Sequence, residues 1–388
     1  MINTRSADRI RLAVGWVTLF IIGTDLFVVS PLLPTLAHRF AITPSTAGWM
    51  VTAFSVMYAV GAPWWGAHAD AKGKRPIIVL GLVGFSLGNA LTSVAPTFPI
   101  LLASRVLSGL STAAVVPAVY AITGDIAPSA KRGRLLSLVG SGLLMSLWAG
   151  APLGALVAEW AGWPSVFFGL SIAGAGLALA NWRVWPSRRL ASPTDPSTPS
   201  TPSARMRLVA LLADVVFTGV WALAVYGFYT YLGTGLRRVD HATTLSVAVA
   251  LAAYGVGATA GSLSGGRLAD RFGARRLATG GLYGLGMVLL LVGAIFPVKV
   301  LLDPSLMLLA FVAYAFFPAF QSYLAERYVA RRAMAMAWNN ASLYTGIALG
   351  AVLGGWVIHH RPFPVLPIIC GGIALMGGVL NGRPRPRQ

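Results

Sequence analysis

Three charged residues stand inside long apolar runs, where a charge needs a reason. Asp25 lies near the middle of the run 12–34, Arg105 about seven residues into the run 98–122, and Asp214 about eight residues into the run 207–231. A charge at the centre of a membrane helix costs at least ~2.5 kcal/mol on insertion scales, so it is retained for a partner, a cavity or a task. Asp25 with Arg105 reads either as a protonatable carboxylate tuned by a cation or as a permanent ion pair between helices. Asp214 reads as a second proton site, a contact for a cationic ligand, a gate residue, or an ordinary partner of Arg205 or Arg207. Other chemistry lacks its residues. The five histidines show no ligand spacing, and Cys370, the single cysteine, permits neither a cysteine-built metal site nor an internal disulfide. No Ser, His and Asp fall at one depth. The chain therefore offers no catalytic residues, no metal site and no cofactor motif, and it does not read as an enzyme.

The elements that hold these charges follow from composition. Of 388 residues 56% are hydrophobic and 44 are glycine, while charged residues make up 11%, against roughly 25% in a soluble domain. Twelve spanning helices of about 20 residues use ~240 residues, most of this chain. Soluble enzymes, disulfide scaffolds and disordered chains are excluded, and the long unalternating runs exclude a membrane barrel. The runs lie near 12–34, 46–66, 76–95, 98–122, 134–157, 163–185, 207–231, 243–265, 277–297, 304–326, 333–357 and 364–381. The fold expected is all-α, with twelve transmembrane helices. Net charge +19 sits in clusters between these runs rather than on one soluble face, so it points to membrane topology and not to nucleic acid. With the termini inside, five Lys/Arg (Arg39, Arg237, Arg238, Lys299, Arg361) lie outside, Arg105 lies in a span, and the other 24 lie inside. The positive-inside rule then sets both termini in the cytoplasm of a multi-pass plasma membrane protein.

A register of 200 residues runs through the chain. Gly66, Asp70, Gly73 and Arg75 return as Gly266, Asp270, Gly273 and Arg275; Arg132 returns as Arg332, Gly150 and Gly154 as Gly350 and Gly354, and Pro164 as Pro364. With one residue of slippage, Pro117 and Asp125 match Pro318 and Glu326. Pro186 to Ala204, with prolines at 186, 193, 196, 199 and 202 among Ser and Thr, has linker composition. The expected organisation is two parallel six-helix repeats, 1–185 and 207–388, joined by a linker at 186–206. Parallel repeats of this kind place a small-molecule site between the halves near the midplane.

The loop Gly66-Ala-His-Ala-Asp70-Ala-Lys72-Gly73-Lys74-Arg75 and its copy Gly266-Arg-Leu-Ala-Asp270-Arg271-Phe-Gly273-Ala-Arg275-Arg276 resemble the signature of the major facilitator superfamily. The resemblance covers nearly the whole chain. It implies a latch between two conformations at the cytoplasmic face, with Asp125 joining the first loop and Glu326 the second. Asp25 through Pro34 on helix 1, Arg105 through Gly109 on helix 4, and Gly150, Pro152 and Gly154 on helix 5 look like the twelve-spanner drug/proton antiporter branch. Departures are Lys72 where Arg is common, the residue between Gly150 and Pro152, and Ala155 where a Gly is usual. The resemblance implies a secondary transporter in a bacterial inner membrane that exports small amphipathic or drug-like molecules against protons, as a monomer among lipid. A proton-coupled transporter of a specific metabolite, such as a sugar or amino acid, and a non-transporting membrane sensor remain as alternatives. Trp221, Tyr226 and Tyr229 on helix 7, Phe317 and Gln321 on helix 10, and Trp338, Asn339 and Asn340 on helix 11 are candidates to line the cavity, since aromatic walls with few polar groups suit bulky, partly apolar ligands.

Overall fold

The computed structural model describes residues 4–128, 131–186, 203–239, 242–328 and 332–382. Residues 187–202, most of the expected linker, lie outside the described residues. Everything regular in the described chain is helical. The first traverse is α1 (Thr4–Phe27) and α2 (Val29–Arg39), broken at Val28. Pro31 causes the break, because it cannot donate to the carbonyl one turn earlier, whereas Pro34 sits inside α2. The carbonyl that Pro31 leaves free, Phe27 O, faces the hydroxyl of Tyr229 at 3.4 Å, and Ser30 donates to Tyr229 O at 2.6 Å.

A short α3 (Pro44–Ala47) leads into α4 (Trp49–Lys72); α5 (Lys74–Ser93), α6 (Phe98–Ile126) and α7 (Arg132–Met145) follow. A π-turn at Ser146–Gly150 carries α7 into α8 (Ala151–Ala161), and α9 (Trp163–Val184) ends the first repeat. The second repeat runs through α10 (Ser203–Val239), α11 (Thr244–Phe272), α12 (Ala274–Ile295), α13 (Lys299–Arg327), α14 (Arg332–His360) and α15 (Val365–Gly382). Eleven helices among the described residues are long and apolar enough to cross a membrane. The twelfth traverse is α4, which is not among those eleven; its 24 residues reach about 36 Å, enough to span. Twelve traverses bring Thr4 and Gly382, the outermost described residues, to one face of the bundle.

The packing occurs twice. α5 lies on α6 and α9, and α4 on α6; correspondingly, α12 lies on α13 and α15, and α11 on α13. α1 packs along α7 as α10 packs along α14. Small residues permit the close approach: at Gly109 of α6 a side chain would run into the backbone of Phe54 on α4. Between repeats, α4 meets α14, α2 meets α10, and α11 meets the π-turn and α8. Gly255 of α11 lies against Trp148 in that π-turn, where a Cβ would come within 2.5 Å of the Trp148 nitrogen. On the face opposite the termini the repeats are sealed by the Ser30–Tyr229 bond and by Gly233 seated on Ser30 and Pro31.

Candidate functional site

α1 and α6 bring Asp25 and Arg105 together. Arg105 Nη1 and Nη2 donate to Asp25 Oδ1 and Oδ2, both at 2.8 Å, in a parallel fork. The two side chains are 0% and 1% exposed. The guanidinium also lies over Phe54 of α4 at 5.0 Å and Phe167 of α9 at 5.8 Å, and its Nε has no hydrogen-bond partner. A bidentate pair between aromatic faces is the geometry for which arginine, rather than lysine, is suited. Four helices of the first repeat thus enclose one neutralised charge pair.

The helix 5 element presses on the same stretch of α1. Gly150 abuts Thr24 and Gly154 abuts Val28, so any side chain there would collide with α1 on either side of Asp25. Pro152 has no N–H for the Trp148 carbonyl, and the π-turn stands just before it.

Asp214 is buried in α10. Tyr328 donates to its Oδ2 at 2.6 Å, and Arg327 Nε stands 2.9 Å from the same oxygen, an ion pair without hydrogen-bond alignment. The Tyr328 phenol is pushed up to about 12, first by burial and then by donating to this carboxylate. The side chains of Arg205 and Arg207 lie outside the described residues. Arg327 and Tyr328, more than a hundred residues away, were not visible as partners in the sequence.

The two loops differ. Gly73 and Gly273 have φ of +94° and +88°, the left-handed region that favours glycine. Gly66 and Gly266 stand in open space, with nothing within 4 Å of a Cβ added there. In the first loop Lys74 pairs with Asp125, and Arg75 lies over the Trp182 ring at 4.1 Å; the Asp70 side chain lies outside the described residues. In the second, Arg275 reaches the Asn381 carbonyl at 3.4 Å, while Asp270 and Glu326 are exposed. Glu326 therefore does not reproduce the place of Asp125, and Asp214 is the carboxylate that ties this end of the second repeat.

Aromatic side chains fill the seam between repeats. Trp221 donates to Ala313 O at 2.8 Å and stacks on Phe316 and Phe317. Phe27 of α1 stacks on Tyr226 and meets Tyr229 edge-on. Tyr314 donates to Tyr226 at 3.3 Å, Tyr254 packs on Tyr229 at 5.1 Å, and Tyr58 of α4 lies flat on Tyr344 of α14 with centroids 3.4 Å apart. Asn339 is buried and accepts from Thr218 at 2.5 Å; Gln321 and Asn340 are half-buried. Trp338 belongs elsewhere. It is 41% exposed and shares a stripe with Leu349, Val352 and Trp356 on the outer face of α14. Tyr58 and Tyr254 were missed, although Tyr254 stands at offset 200 from Phe54, which touches Arg105.

Two segments, 15–238 and 239–388, match the family model of the Major Facilitator Superfamily. The chain belongs to this superfamily. It is a multi-pass membrane transporter and not an enzyme. The chloramphenicol resistance protein of Streptomyces lividans is 28% identical over 93% of this chain and 92% of its own length. Inner membrane transport protein YdhP of Escherichia coli K12 is 27% identical over 95% and 94%. Among solved structures, a D-xylose–proton symporter superposes with a TM-score of 0.76 at 16% identity, covering 96% of both chains, which shows the shared fold.

Proposed function

We propose that this transporter exports small amphipathic, drug-like molecules from a bacterial cytoplasm in exchange for protons, by alternating access. The 24 Lys/Arg on the terminal side of the spans support cytoplasmic termini. Units 1–185 and 207–388 rock about the seam, the linker 186–206 tethers them, and one chain suffices. The likeness to a chloramphenicol resistance protein supports a drug-like cargo.

The observation that carries the reading is the buried Asp25–Arg105 fork. The fork ties α1 to α6, so alternating access that moves one helix against the other must loosen or re-form the pair. A proton arriving at Asp25 cancels one charge and leaves Arg105 held by Phe54 and Phe167 alone, and substrate binds when that proton is absent. Asp214 acts at the terminal face as a gate residue with Arg327 and Tyr328. The loops through Gly73–Arg75 with Asp125, and Gly273–Arg275, serve as latches. The test is purified protein in vesicles under an imposed pH gradient: wild type is expected to move substrate uphill, and a protonophore to stop it. Uphill transport that ignores the protonophore would refute proton coupling.

A further inference from the structure

We infer that the cargo is uncharged: an aromatic molecule with hydrogen-bonding groups, held by the phenols and amides of the seam. This rests on the proposed proton coupling at Asp25 and names the substrate class of the same transporter.

Among the described residues, the buried charged side chains are Asp25, Arg105 and Asp214. Each is committed. Both oxygens of Asp25 are taken by Arg105, and Asp214 is held by Arg327 and Tyr328. With the proton off Asp25, the interior offers a neutral pair. With the proton on, it offers a neutral acid beside an uncompensated Arg105. In neither state is a carboxylate free, so a cationic ligand would be buried without a counter-ion, which is costly. Arg105 already occupies the Phe54 and Phe167 faces and repels a second cation. An anion is favoured beside Arg105 only in the protonated state, which would send substrate and proton the same way. Exchange of substrate for protons thus requires a ligand that carries no charge of its own and binds while the Asp25–Arg105 pair is intact.

The seam supplies what such a ligand needs. Tyr58, Tyr226, Tyr254, Tyr314 and Tyr344 come from five helices in two repeats, and each carries a flat face and a hydroxyl. The unpaired Nδ2 of Asn339 adds a buried donor. An uncharged aromatic ligand replaces ring–ring contact with ring–ligand contact and offers a partner to the Tyr254 hydroxyl, which has none among the described residues, and to Tyr226 and Tyr314, which pair with each other.

The test uses wild-type protein in vesicles with an inward proton gradient and three sets of probes: chloramphenicol and thiamphenicol, uncharged; tetraphenylphosphonium and ethidium, cationic; fluorescein, anionic. Protonophore-sensitive transport of the uncharged set, at least about 10-fold above the other two, is expected. Tyr226→Phe and Tyr254→Phe should each weaken chloramphenicol binding by about 3- to 10-fold while the protein still folds, as loss of one hydrogen bond does. Protonophore-sensitive transport of the cations at equal or greater rate would overturn the inference and leave proton-coupled export standing. Selective but protonophore-insensitive transport of the uncharged set would refute the coupling and uphold the substrate class.

Discussion

At an offset of 200 residues Asp25 becomes Val225 and Arg105 becomes Ser305, whereas Gly73 becomes Gly273 and Phe54 becomes Tyr254. The two repeats therefore keep the residues that turn the chain and change those that fill it. The first repeat wraps a charge pair in four helices. Among its described residues the second has no such pair at that depth; it holds Trp221, Tyr226, Tyr229, Tyr254 and Tyr314 there, and places a carboxylate, Asp214, toward the terminal face beside a partly exposed arginine. Duplication supplied the scaffold twice, and divergence left a buried charge pair in one copy and a cluster of buried aromatic side chains in the other.

The sharpest way to break this division is Asp25→Asn. It keeps the shape of the side chain and fixes the uncharged state, so proton-driven transport in vesicles should fall to background. Losing one member of a buried pair also leaves Arg105 uncompensated, which costs about 3–5 kcal/mol. Asp25→Leu combined with Arg105→Met should recover much of that stability in a thermal melt without restoring coupling. Undiminished uphill transport by Asp25→Asn would move the coupling site elsewhere, with Asp214 next in line.

Asp214→Asn should do less. Its partner Arg327 is 25% exposed and water can replace the lost contact, so destabilisation of about 1 kcal/mol is expected. Gradient-driven transport should slow while its dependence on pH is unchanged. If this variant uncouples transport as fully as Asp25→Asn, the functional asymmetry between repeats is wrong.

Where the repeats agree, matched substitutions should agree. Gly73→Ala and Gly273→Ala each force a side chain into positive φ and should cost about 1–2 kcal/mol apiece by thermal unfolding. Gly66→Ala and Gly266→Ala meet nothing within 4 Å and should be near neutral. A large cost at Gly66 alone would reveal a contact made in the other conformation.

The sequence displayed the helices, their register and the Asp25–Arg105 pair because all three depend on local apolar length, spacing or a rare charge at depth. Other features depended on rotation and distance. Asp214 takes Arg327 from the far end of α13, a choice set by how α10 and α13 cross rather than by neighbours in the chain. Tyr58 drew no attention among the aromatics of α4, yet it bridges to Tyr344 across the seam. The acids ending the fourth and tenth spans looked equivalent, but Asp125 finds Lys74 and Glu326 is exposed, because the second loop has Ala274 where the first has Lys74.

Trp338 tests the same limit at the smallest scale. On a soluble helix the polar face tells outside from inside, but a membrane helix is apolar all round, so position along the chain says little about direction. Trp338 and Trp221 therefore looked alike in the sequence. In the fold, Trp221 is buried at 1% with its indole donating to Ala313 O, while Trp338 lies on the outer stripe of α14. Trp221→Ala should open a cavity and cost about 3–5 kcal/mol. Trp338→Ala should change the melting free energy by no more than about 0.5 kcal/mol, as surface substitutions do, and leave transport of chloramphenicol as it was. A loss of transport on Trp338→Ala, with the melt unchanged, would mean that this face of α14 turns toward the ligand during the cycle, and that the second repeat contributes to recognition from a side the sealed conformation keeps outside.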